Sequence, residues 1–159
     1  MSSPQINTLS QPARTNSLER IESPGAALTL TRSATLAIVT TGTDITWQTT
    51  TRSAGISWTT TDITIPTAGY YLIQVAFATS ANCTMLTQLV LNTVNIGYFG
   101  NTFVASNYHV ATNMRYFATG DVIRIRAVPS ANVNINVNAE TALNASPYLH
   151  IVQLTRPVL

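Results

Sequence analysis

Residues 66–78, Pro-Thr-Ala-Gly-Tyr-Tyr-Leu-Ile-Gln-Val-Ala-Phe-Ala, constrain this chain more than any other stretch. A Pro-x-x-Gly turn leads straight into strand-forming residues with scarcely a polar side chain among them. Successive side chains of a strand point to opposite faces. Tyr71, Ile73, Val75 and Phe77 therefore share one face, and Tyr70, Leu72, Gln74 and Ala76 the other. A half-buried strand alternates apolar with polar; this one is apolar on both sides. In a small all-β domain the second face needs a cover. A second copy of the same chain is the natural supplier.

The rest of the chain from Ala26 reads as strand and turn. Extended stretches are expected at 34–40, 44–49, 52–58, 62–65, 70–79, 85–91, 96–99, 108–117, 122–128, 133–138 and 148–154. No segment carries a helical stripe of ten or more residues. About ten strands with turns at short, regular spacing imply an antiparallel sandwich or barrel. Asn134, Asn136 and Asn138 oppose Val133, Ile135 and Val137, and Arg124 and Arg126 oppose Ile123 and Ile125. These two strands each have one wet face, and are expected to share a solvent-facing sheet apart from the sheet of residues 70–79 and 148–154.

Residues 1–25 differ. They are polar, proline-spaced and aperiodic, with one candidate helical turn at Ser17-Leu-Glu-Arg-Ile-Glu22 ahead of Ser23-Pro-Gly25. Such a turn is too short to be stable alone. The stretch reads as an extended docking arm that orders on a partner, anchored by Ile6, Leu9, Leu18 and Ile21; the alternative is a frayed terminus. The domain proper is expected over 26–159.

Composition narrows the function. Charged residues are 9% of the 159, and all 8 basic residues are Arg. A surface short of charge and without lysine is poorly defended against association and fits one that is covered in an assembly. The Arg residues are scattered and the net charge is +2, which does not make a nucleic-acid footprint. No apolar run approaches the ~18 residues of a membrane span, and the N-terminus lacks the pattern of a secretory signal. The lone cysteine, Cys83, has no internal disulfide partner and reads as a small buried hydrophobe, which fits a reducing compartment. The triplets at Asn82 and Asn144 match a glycosylation acceptor by chance composition.

Three motifs resemble a known family, the trimeric jelly roll of tumour necrosis factor and the complement globular head. Asp62-Ile-Thr-Ile-Pro-Thr-Ala-Gly-Tyr-Tyr-Leu-Ile73, preceded by Trp58, resembles that family's lead-in to its central strand. Phe117-Ala-Thr-Gly-Asp-Val-Ile123 resembles its Leu-x-x-Gly-Asp-x-Val turn, and Ser146-Pro-Tyr-Leu-His-Ile-Val-Gln-Leu154 its terminal strand. Ile73 stands where the family prefers an aromatic, and His150 where it has Gly. The resemblance implies an antiparallel jelly-roll β-sandwich that forms a homotrimer about a threefold axis. By strand parity Tyr70, Leu72, Gln74 and Tyr116 would then face the axis or the neighbour, while Tyr71, Ile73, Val75, Phe77 and Phe117 fill the core.

The supply of catalytic groups is thin. Six acidic residues, Glu19, Glu22, Asp44, Asp62, Asp121 and Glu140, form no obvious acid/base couple. His109 and His150 each lie inside a strand and read as structural. No zinc spacing, calcium loop, phosphate loop or nucleophile elbow is present. No enzyme activity, cofactor or metal is expected. Trp47, Trp58, Tyr98, Phe103 and Tyr108 are aromatics that a sugar could stack on, with core packing the simpler reading for each.

A lysine-free jelly roll with an arm and no export signal points to a bacteriophage virion protein assembled in the host cytoplasm. Two roles compete. In the first, a trimer decorates or cements the head, its arm gripping the major capsid protein or another virion protein. In the second, a receptor-binding or tail-fibre tip recognises a host surface glycan. Neither involves nucleic acid or membrane insertion.

Overall fold

A computed structural model describes residues 25–99, 106–136 and 147–154. These contain thirteen strands and no helix. In chain order they are β1 (Ala27–Thr31), β2 (Leu36–Ile38), β3 (Thr43–Asp44), β4 (Thr49–Ala54), β5 (Ser57–Trp58), β6 (Ile63–Thr64) and β7 (Gly69–Cys83). β8 (Met85–Leu91), β9 (Val94–Tyr98), β10 (Ser106–Phe117), β11 (Val122–Pro129), β12 (Val133–Asn136) and β13 (Tyr148–Gln153) follow. All strand pairs are antiparallel. The surplus over ten comes from the two-residue pieces β3, β5 and β6.

The strands make two sheets. In the larger, β7 is the spine. β10 runs along one edge of it from Gly69 to Cys83. On the other edge β13 takes residues 71–76 and β12 takes residues 78–79. β13 passes the sheet on to β1 and β4, and β12 passes it on to β2. In the smaller sheet β11 is the spine, between β8 on one edge and the short β6 and β3 on the other. β5 and β9 close its ends.

The motifs position these spines. Gly120 takes φ 85°, which L side chains adopt only at a cost. Asp121 then caps the turn: its Oδ2 accepts from the Ala118 N–H at 2.8 Å. The Gly120 N–H donates to the Ile65 carbonyl at 2.9 Å, and the Ile65 N–H to the Asp121 carbonyl at 2.9 Å. The Pro66 lead-in and the Gly-Asp turn thus lock together, setting β7 and β10 in register at Tyr70 and Tyr116.

The core lies between the sheets. Tyr71, Ile73, Val75, Phe77 and Phe117 are fully buried in it, with Trp47, Phe99, Ile123, Ile125 and Ile151. Tyr71 and Phe117 meet edge-on, ring centroids 6.0 Å apart, and the Tyr71 hydroxyl donates to the Thr67 carbonyl at 2.7 Å.

Three expectations need correction. β12 and β11 lie in different sheets, and β12 belongs with β7. Alternation tells which face of a strand is wet, not which sheet holds it. β7 is 15 residues long, enough to pair with β13 and then with β12 on the same edge. Trp47 lies outside any strand, yet is fully buried; its backbone N–H donates to the Thr60 carbonyl at 2.7 Å. The first strand is β1, while the stretch expected at 34–40 contracts to the three residues of β2. The arm with Ile6, Leu9, Leu18 and Ile21, as well as Phe103, Val137, Asn138, Glu140 and Asn144, falls outside the described residues.

Candidate functional site

The outer face of the larger sheet stands out by its chemistry. Register fixes which residues share it. Tyr70 is paired with Tyr116, Leu72 with Met114 and Val152, Gln74 with Thr112 and His150, and Ala76 with Val110 and Tyr148. β1 and β4 extend these rows: His150 leads to Thr29 and Arg52, and Val152 to Ala27 and Ala54. The four residues expected at a subunit contact, Tyr70, Leu72, Gln74 and Tyr116, are thus brought together on one face.

The face is apolar and accessible. Tyr70 and Tyr116 are each about half exposed, Met114 is 64% exposed, and Leu72, Val110, Val152 and Leu154 are exposed as well. These are seven of the ten exposed large hydrophobic side chains among the described residues. Scattered exposed hydrophobics need no explanation, but a contiguous set marks a contact surface. The Tyr70 and Tyr116 rings meet edge-on with centroids 5.4 Å apart, so the pair is a preformed block rather than two loose side chains. Met114, Val110 and Val152 were missed in the sequence. Met114 and Val110 share the parity of Tyr116 along β10, a signal present in the sequence, whereas Val152 takes its place from the register of β13 against β7.

The described carboxylates are sorted to the opposite side. On the smaller sheet Arg124 grips Asp62, with Nη2 to Oδ2 at 3.2 Å and a second contact from Nε to Oδ1. Arg126 Nε pairs with Asp44 Oδ1 at 2.7 Å. The Arg124 hydrogen bond holds the Asp62 carboxyl below the usual carboxylate range, and Asp62 in turn raises Arg124. Asp121 is spent on its turn and on Asn92 Nδ2 at 2.9 Å. So the described carboxylates are all engaged away from the apolar face.

The two histidines divide. His109 is buried, its Nε2 3.4 Å from Thr79 Oγ1 and 3.9 Å from Cys83 Sγ, with its ring against Phe77. His150 lies on the outer face, Nδ1 3.0 Å from Thr29 Oγ1 and its ring 4.6 Å from Tyr148. Cys83 is buried and unbridged. Arg32 is buried too; it donates to Thr46 and, at 3.0 Å, to the Thr35 carbonyl. Burial lowers its pKa. Of the candidate sugar-stacking aromatics, Trp47 is fully buried, Trp58 and Tyr108 are half-buried, and Tyr98 is about half exposed. Among the described residues no group of three His, Cys, Asp or Glu could hold a metal ion. No described helix is long and apolar enough to cross a membrane.

Two packed antiparallel sheets with this strand order form a tumour necrosis factor-like jelly roll, the fold class that the three sequence motifs had implied. Solved structures of that class superpose on the chain. Pika GITRL matches with a TM-score of 0.51 and 17% identity, over 86% of this chain and all of the other. Murine APRIL at pH 5.0 gives 0.55 and 16%, over 82% and 99%. Eiger TNF from S. frugiperda gives 0.53 and 11%, over 86% and 99%. At such identities the likeness is one of fold. No protein-family model matches the chain, and no curated protein matches it in sequence.

Proposed function

We propose that this chain is a non-enzymatic structural protein that works as a homotrimer, its subunits meeting through the outer face of the larger sheet. The observation that carries this reading is the set of exposed apolar side chains around Tyr70, Leu72, Met114 and Tyr116, on a face without a described carboxylate. Burying one such Tyr or Leu completely contributes roughly 1.5–3 kcal/mol, so several per subunit sustain an obligate assembly. The trimeric state follows the fold class. Sedimentation velocity of the intact chain tests it: a single species of three chains is expected, and Tyr116→Asp is expected to yield single chains. A monomeric intact chain overturns the reading.

We further propose that the trimer decorates a bacteriophage head, fixed to the capsid through its N-terminal arm, residues 1–25. The lysine-free, charge-poor composition and the proline-spaced polar N-terminus support this assignment. A chain lacking residues 2–25 is expected to fold and trimerise but no longer to attach to particles. Attachment at the full copy number would remove the arm from the reading. Specific binding of the isolated trimer to host cells would favour the receptor-binding alternative instead.

A further inference from the structure

A hollow of about 330 Å³ lies on the outer face of the larger sheet, away from the Tyr70–Tyr116 pair. Leu72 and Val152 supply its apolar lining. Its polar lining is one cross-strand row: Gln74, His150, Thr29 and Arg52. Thr29 Oγ1 and His150 Nδ1 hold each other at 3.0 Å. Arg52 has no described carboxylate to meet, since Asp44, Asp62 and Asp121 are engaged elsewhere. The hollow therefore offers an apolar patch beside a cation with no counter-ion among the described residues of this face. It fits an amphipathic acidic segment.

Such a segment exists next to it in the chain. The first residues of β1 line the hollow. Just before them, the Ala26 N–H donates to Gln153 Oε1 at 3.3 Å, and the Gln153 N–H donates to the Ala26 carbonyl at 2.8 Å. Gly25 lies so close to β13 that a Cβ there would come 2.8 Å from the Gln153 carbonyl oxygen. The preceding residues thus connect at the Val152–Leu154 end of the same face. Ser23-Pro24-Gly25 is turn-forming, and Ser17-Leu-Glu-Arg-Ile-Glu22 before it carries two carboxylates against one guanidinium, and two aliphatic side chains. Five residues from Glu22 to Ala27 span up to about 17 Å. The Arg52 row is two residues along β1 from Ala27, about 7 Å.

We propose that residues 17–22 turn back at Ser23-Pro24-Gly25 and seat in this hollow of their own chain. Leu18 and Ile21 pack on Leu72 and Val152, and Glu19 and Glu22 face Arg52 and His150. This divides the N-terminal segment: residues 1–16, with Ile6 and Leu9, remain for an external partner. The Tyr70–Tyr116–Met114 end of the face stays open to a neighbouring copy. Leu72 borders both the hollow and the open end, so the seat is tested at Arg52, Glu19 and Glu22, which belong to no proposed subunit contact.

Limited trypsin digestion tests it, because a lysine-free chain offers only arginines and the segment holds two, Arg14 and Arg20. A synthetic peptide of residues 1–25 gives the intrinsic ratio of cutting at the two sites. Cleavage follows the population of the open state, so in the intact protein Arg20 is expected to be cut about tenfold more slowly, relative to Arg14, than in the peptide. Arg52→Gln and the double variant Glu19→Gln/Glu22→Gln are each expected to return the ratio to that of the peptide. Tyr116→Asp, outside the hollow, is expected to keep the protection while sedimentation reports its oligomeric state. A peptide-like ratio in the intact protein overturns the seat. So does protection that survives both charge variants, or that disappears in Tyr116→Asp.

Discussion

Asn92 and Thr93 form the two-residue loop between β8 and β9, with φ of 47° and 77°. Such hairpin loops want φ above zero at both central positions. Asn92 is suited to this, and its side chain also works: Oδ1 accepts from the Val122 N–H at 2.9 Å. Thr93 is β-branched and strained there. Left-handed backbone costs an L residue about 1–2 kcal/mol, while glycine adds roughly 0.5–1 kcal/mol of unfolded-state entropy. Thr93→Gly is therefore expected to stabilise the protein by up to about 1 kcal/mol. Thermal unfolding would show this as a rise of about 2–4 °C in Tm; an unchanged or lowered Tm counts against the strain. The Asp62–Arg124 pair makes a pH prediction. Asp62 has a lowered carboxyl pKa in the fold, chiefly through its hydrogen bond from Arg124. Its contribution is fully present above the ordinary carboxylate pKa of about 4 and is lost as pH falls through the lower folded value. Arg124→Gln should remove stability at neutral pH but flatten the loss below about pH 4. Denaturant midpoints measured across pH check this, and parallel acid limbs in the two proteins would refute it.

At the scale of elements, what the sequence displayed depended on whether a signal was local. The central strand was legible because its turn, its strand formers and its parity all lie within fifteen residues. Tyr70, Leu72 and Gln74 could be put on the second face for the same reason. Tyr116 joined them through the Gly120-Asp121 turn, which counts back a fixed distance along β10. The same count reaches Met114 and Val110, whose parity matches that of Tyr116, but Val152 was not legible, since its place comes from pairing between β13 and β7, far apart in sequence. β12 shows the same limit. Its Val133 and Ile135 look like one side of any two-faced strand, yet they join the core from a place beside β7 in the larger sheet. This has a testable consequence. Ile135 is fully buried, so Ile135→Ala is expected to cost about 2–5 kcal/mol. Asn134 has an exposed side chain, and it is its backbone N–H that donates to Ser80 Oγ. Asn134→Ala should therefore stay within about 0.5 kcal/mol. Chemical denaturation of both variants decides it; equal small effects would mean that β12 does not belong to the core sheet.

The whole molecule is two-sided. The smaller sheet carries both ion pairs found among the described residues, Arg124–Asp62 and Arg126–Asp44, and is fit to face water. The larger sheet presents Tyr70, Leu72, Met114, Tyr116 and Val152 to the outside. A lone chain would leave that apolar face wet, with little charge elsewhere to keep it soluble. If neighbours cover the face, assembly and folding are one equilibrium, and stability then depends on protomer concentration. Tm is accordingly expected to rise steadily as the protein is concentrated over two decades. Met114→Asp places a charge among apolar partners, where desolvation without a counter-ion is costly. That variant should unfold at a lower Tm, and its Tm should not respond to concentration. A structural defect in the single domain would lower Tm too, but would leave the concentration dependence in place. The slope of Tm against the logarithm of concentration therefore separates a lost interface from a damaged fold. A flat slope for the unsubstituted protein would mean that the apolar face is not closed by copies of this chain.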